Sequence, residues 1–77
     1  MKVEEFPAEF FLPITGQEHL LGRLTINTIK FYFVVEIDIV QKESKKIWAH
    51  VDTLYQIEEF DEALDRGVWR LSEYFKN

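Results

Sequence analysis

Cysteine is absent from this 77-residue chain. No disulfide framework and no thiolate metal site can therefore brace the fold. Glycine is scarce, with three residues and none clustered, so no glycine-rich phosphate loop is present. No apolar run approaches the roughly 18 residues of a membrane-spanning helix. The opening Met1-Lys2-Val3-Glu4-Glu5 lacks the apolar stretch of a signal peptide. A cytoplasmic chain with no membrane partner is the expectation. Positive charge is also short: 9 Lys and Arg stand against 14 Asp and Glu, a net charge of −5. Nucleic-acid phosphates need clustered Lys and Arg, so no nucleic-acid partner is expected. Neither Gly-x-Ser-x-Gly nor His-Glu-x-x-His occurs. The only serines, Ser44 and Ser72, have no plausible base nearby. These absences assign no catalytic residue, no cofactor and no metal, and the chain is expected not to be an enzyme.

What remains is a single small domain over residues 1–77 with 47% hydrophobic and 16% aromatic residues, a globular composition. A chain this short has a marginal core unless aromatic packing or self-association supports it.

The clearest pattern runs from Ile29 to Ile39. Every odd position is large and apolar, while Lys30, Glu36 and Asp38 stand at even ones. A period of two fits a strand, whose successive side chains face opposite ways, and smears around a helix. Residues 6 to 14 alternate too, with Phe6, Ala8, Phe10, Leu12 and Ile14 on one side. Pro7 and Pro13 cannot donate to a ladder, which predicts an edge or bent strand. Thr15 to His19 reads as a loop. Leu20 to Asn27 reads as a weaker strand with Gly22 marking a bulge. Asn27-Thr28 is the expected turn into the long strand. The polar run Gln41 to Lys46 leads to a last strand, Ile47 to Thr53.

Directly opposed residues of a hairpin share a face, so the two oily rows must pair odd with odd. This predicts Ile39 near Ile47, Ile37 near Ala49 and Val35 near Val51, within one two-residue slip. It also puts Glu36 opposite His50 and Asp38 opposite Trp48, across an intervening loop of odd length.

The period then changes. At about 100° per residue, Ile57, Phe60, Leu64, Val68, Leu71 and Phe75 share one side, flanked by Ala63, Gly67 and Tyr74. An amphipathic helix from Ile57 to Phe75 is predicted, with Glu58, Glu59, Asp61 and Glu62 at its positive dipole end. Thr53 with Gln56 resembles a capping box. Gly67 would let the helix approach the sheet closely. The predicted fold class is α+β: three to four antiparallel strands and one C-terminal amphipathic helix packed on one face, in the order β-β-β-β-α.

Four features are candidates for function. Trp69 falls about 180° from Phe60, amid the acidic side of the helix. The plain reading is an indole lying along neighbouring side-chain stems; the sharper one is an anchor for a partner, because Trp is enriched at binding hot spots. The outer sheet face would carry Tyr32, Val34, Val40 and Trp48 with Arg23, Glu36, Asp38, His50 and Asp52. An apolar centre with charged edges resembles an interface, and a symmetric homodimer is its commonest use. His50 with Asp52, Glu36 and Asp38 has the donors for a divalent metal or small ligand, against the plainer reading of a solvated strand face. Lys42, Lys45 and Lys46 read as a solubilising loop, and Glu58, Glu59, Asp61, Glu62 and Asp65 as a solvated, dipole-matched patch or an imitation of nucleic acid toward a basic protein. His19 has no convincing partner. The composite expectation is a non-catalytic protein-interaction or regulatory module that forms a homodimer. Its interface would use Trp69, Tyr32, Val34, Trp48 and His50.

Overall fold

The computed structural model describes residues 5–76. Met1 to Glu4, most of the stretch tested for a leader, lie outside the described residues, as does Asn77. Four strands, β1 (Ala8–Ile14), β2 (Gln17–Ile29), β3 (Tyr32–Gln41) and β4 (Ile47–Ile57), precede one helix, α1 (Phe60–Tyr74). The strands form one antiparallel sheet in the order β1-β2-β3-β4. The helix packs on one face, so the predicted α+β class is the observed one. Pro13 sits in β1, an edge strand, as predicted for a residue that cannot donate to a ladder.

Register explains the core. Phe10 pairs with Leu24 and Leu24 with Ile37, so even positions of β1 and β2 share a face with odd positions of β3. That face holds the fully buried Leu24, Ile26, Val35, Ile37 and Ile39. Ala63 and Leu71 of α1 close over them, and Gly67 is buried between. Those three are spaced four residues apart, the spacing of one helix side. A Cβ on Gly67 would lie 3.1–3.2 Å from Leu24 and Val35 side-chain carbons, so α1 does approach the sheet as closely as anticipated. Phe6, Phe10 and Phe33 surround Phe60 at ring-centroid distances of 6.2, 6.0 and 6.0 Å and seal the N-terminal end of the helix.

Several boundaries differ from those expected. The β2–β3 turn is Lys30-Phe31, not Asn27-Thr28: Asn27 and Thr28 pair with Val34 and Phe33 inside the ladder. Phe31 consequently leaves the oily row and is 90% exposed at the hairpin tip. Gly22 is not a bulge. Its register is continuous, and its missing Cβ instead makes room for Leu71, whose Cδ2 would clash with one. The helix starts at Phe60, because Ile57 closes β4 and is buried in the sheet. Its N-cap is Glu59, without a side-chain cap bond, so the Thr53–Gln56 box is not formed. Gln56 takes a φ of 55° at the irregularity just before Ile57, the last paired residue of β4.

The largest departure is in β4. Asp38 pairs with His50 and Ile39 with Ala49, the two-residue slip foreseen. Beyond His50, Val51 is skipped: Ile37 faces Asp52, Glu36 faces Thr53 and Val35 faces Leu54. The register shifts again between Val35 and Phe33, and once before these, at Trp48. Each extra residue inverts the parity of the pairs beyond it and adds local twist. Odd therefore pairs with even from Asp52 to Leu54, and Asp52 faces the helix side, where Arg70 Nε donates to its Oδ2 at 3.0 Å. The loop between β3 and β4, residues 42–46, has the predicted odd length.

Candidate interaction surface

The face away from α1 is built from cross-strand rows. One row runs Phe11, Arg23, Asp38, His50. The next holds Glu9, Thr25, Glu36 and Thr53. Asp38 is the centre of the face and is only 1% exposed. A charge so placed needs partners. Arg23 Nη2 donates to its Oδ2 at 3.0 Å, and His50 Nδ1 lies 2.8 Å from its Oδ1. Both partners are direct cross-strand neighbours, so the ladder itself delivers them. Glu9 lies 3.9 Å from Arg23 Nη1, an electrostatic neighbour beyond hydrogen-bond range. Arg23 Nε is buried without a hydrogen-bond partner among the described residues.

This arrangement orients the imidazole. With Nδ1–H donating to Asp38, a neutral ring leaves Nε2 as acceptor for the Thr53 hydroxyl 3.2 Å away. Chemically the result is a half-exposed, fixed base. Donor atoms of Glu36, Asp38 and His50 lie within 4.8 Å of one another, the geometry a divalent ion would use. Both Asp38 oxygens are already engaged, and Arg23 adds a cation beside them. Asp52, grouped with these residues from sequence, is on the other side of the sheet. Its carboxyl is held below the ordinary carboxylate range by the Thr53 backbone N–H at 2.8 Å first, then by the Arg70 guanidinium.

The five predicted interface residues fall on two surfaces. Tyr32, Val34 and His50 are on the outer face, Tyr32 and His50 exposed and Val34 half-buried. Trp48, 55% exposed, is the extra residue of a β4 bulge and lines a cleft with Leu21, Lys42 and Lys45. Trp69 is 61% exposed on α1, across the molecule from that cleft, beside Leu54, Asp65, Arg66 and Arg70. The helical angle found this exposure correctly. Val40, read as an exposed part of the outer face, is fully buried.

Sequence reasoning missed the contact made by the lysine loop. Lys45, with φ of 62°, brings its ammonium to 5.6 Å from the Phe11 ring centroid, across the outer face from its own hairpin. The loop residues are all exposed, but Lys45 reaches toward β1, and the buried Val40 lies just before the loop. Phe11 on the outward side of an alternating strand was the one available signal. No protein-family model, curated protein or solved structure matches the chain.

Proposed function

We propose that this chain is a small non-catalytic interaction module that acts by contacting protein, first of all a second copy of itself. The observation that supports this reading is that both tryptophans lie more than half exposed and neither serves the core. Trp is the residue type most enriched at binding hot spots, and a chain of this size gains stability from association. The polar stripe of Arg23, Asp38 and His50 between Trp48 and Tyr32 gives the outer face orientation as well as apolar area. Among the described residues no helix is long and apolar enough to cross a membrane. A cytoplasmic site of action and indifference to nucleic acid fit the cysteine-free composition and net charge of −5.

The acidic-mimic reading has less support. Asp61 and Glu62 occupy the first turn of α1, where the helix dipole favours them, and Glu62 faces Arg66 at 3.4 Å. A small-ligand or metal role at His50 rests on the three-donor cluster alone.

Light scattering across a concentration series tests the main reading. A molar mass rising above the 9.3 kDa chain mass, with a blue shift of tryptophan emission, is the expected result. A mass fixed at 9.3 kDa and unchanged emission at every concentration, with no partner recovered, overturns it.

A further inference from the structure

Packing does not account for the centre of the outer sheet face. There Asp38 pairs with His50 and Glu36 with Thr53, so four polar side chains of β3 and β4 adjoin. Asp38 is almost fully buried. A buried ion pair is seldom more stable than apolar residues of the same volume, so stability does not explain a carboxylate at that position. The backbone is irregular at the same place. In a regular strand, residues three apart face opposite ways. The bulge at Val51 puts His50 and Thr53 on one face instead, with the Thr53 hydroxyl 3.2 Å from His50 Nε2. Bulges are over-represented where a side chain is re-aimed beside a site.

Three donor atoms alone do not define a metal site; the groups behind them do. Donor atoms of Glu36, Asp38 and His50 lie within 4.8 Å of one another. A ligating histidine characteristically donates its other ring N–H to a fixed acceptor, and a ligating carboxylate is itself hydrogen-bonded. Both kinds of support are in place. Thr53 Oγ1 can accept from Nε2–H when Nδ1 carries an ion, and Arg23 Nη2 holds Asp38 Oδ2 at 3.0 Å. Only the hydrogen bond between Asp38 and His50 has to be given up, the ion taking the place of the Nδ1 proton. Nδ1 and Oδ1 stand 2.8 Å apart and tetrahedral zinc ligands about 3.4 Å, so the half-exposed imidazole need move only roughly half an ångström. Glu36 is exposed and has the rotamer freedom to close the third side.

Charge and donor type agree. The two rows carry Glu9, Glu36 and Asp38 against Arg23, an excess of two negative charges with His50 neutral, which a divalent cation cancels. Imidazole together with carboxylate suits zinc and its neighbours, whereas calcium and magnesium take oxygen ligands.

We propose that Glu36, Asp38 and His50 bind one divalent ion of the zinc class on the outer face, with Arg23 and Thr53 positioning Asp38 and His50. The ion ties β4 to β3 across the bulge and leaves its fourth position to solvent. The inference does not depend on self-association.

Calorimetric titration of the untagged chain with zinc chloride at neutral pH, read alongside the His50 imidazole NMR signals, tests this. One zinc ion should bind per chain, the Nδ1 signal should shift while Nε2 stays protonated, and Tm should climb with zinc concentration. Glu36→Gln and His50→Ala, both at exposed positions, should each weaken binding about tenfold or more while circular dichroism shows the sheet intact. Thr53→Val should weaken it about tenfold without abolishing it. His19→Ala, at the other histidine, should change nothing. Zinc that gives no heat and leaves the His50 signals fixed overturns the proposal. So does binding that survives both Glu36→Gln and His50→Ala, or that is lost in His19→Ala. Calcium competing as well as zinc overturns the assigned class of ion.

Discussion

Replacing Gly67 by alanine should destabilise the protein, opposite in sign to what helix propensity alone implies. In a helix interior alanine is better than glycine by about 0.8–1.0 kcal/mol. The added methyl carbon would stand 3.1 and 3.2 Å from the two Cδ atoms of Leu24 and 3.2 Å from Cγ2 of Val35. Carbon–carbon contacts are optimal near 3.5–4.0 Å, so three neighbours must each yield a few tenths of an ångström. Neither side chain has room: Leu24 and Val35 are fully buried on adjacent central strands, and Val35 is stiff at χ1. Overpacking of this kind costs about 1–3 kcal/mol. The difference is a net loss of roughly 1 kcal/mol, which in a chain of this size lowers Tm by about 4–8 °C. Urea and thermal unfolding of wild type and Gly67→Ala measure it. Leu24→Val, which removes both Cδ atoms, should shrink or reverse the penalty, giving a coupling above about 0.5 kcal/mol. A Gly67→Ala protein stabilised by about 1 kcal/mol, with no coupling to position 24, would refute the close seating of α1 on the sheet.

Two further predictions concern the carboxylates Asp38 of β3 and Asp52 of β4. Asp38→Asn removes the charge that Arg23 and His50 share and should cost about 2 kcal/mol, below the usual range for a buried pair because both partners are partly solvated. His50→Ala should cost less than about 1 kcal/mol, and equal costs in urea titrations would contradict the placement of Asp38 as the buried centre. Asp52 has a folded-state pKa below its unfolded one, so its contribution is complete above about pH 4 and fades as pH falls through the folded value. Because its side chain is 39% exposed, that contribution should be roughly 0.5 kcal/mol or less. Asp52→Asn should therefore narrow its gap from wild type on acidification, and a gap unchanged at pH 2 would count against the Arg70 pairing.

Much of this protein could be read from alternation and helical angle. The odd row of β3, the edge character of Pro13, the inner side of α1 with Gly67 at the closest approach, and the exposure of Trp69 all follow from period and steric size. Each is a local property, since a strand's two faces and a helix's angular positions depend only on residue spacing. Turn placement was harder, because Lys30-Phe31 carries none of the usual turn chemistry while Asn27-Thr28 carries some of it.

What spacing could not contain was the consequence of pairing. The bulges in β4 take up three more residues between Ile47 and Ile57 than the Phe33–Val40 segment they pair with, and nothing in Trp48, Val51 or Gln56 announces them. One extra residue there sends Asp52 to Arg70 and leaves His50 with Asp38. In the same way, Lys45 meets Phe11 and Val40 loses its exposure only once four strands and a loop are laid side by side. Faces are written residue by residue along the chain; which residue stands opposite which is a sum over every insertion between them, and a single unforeseen one inverts all that comes after.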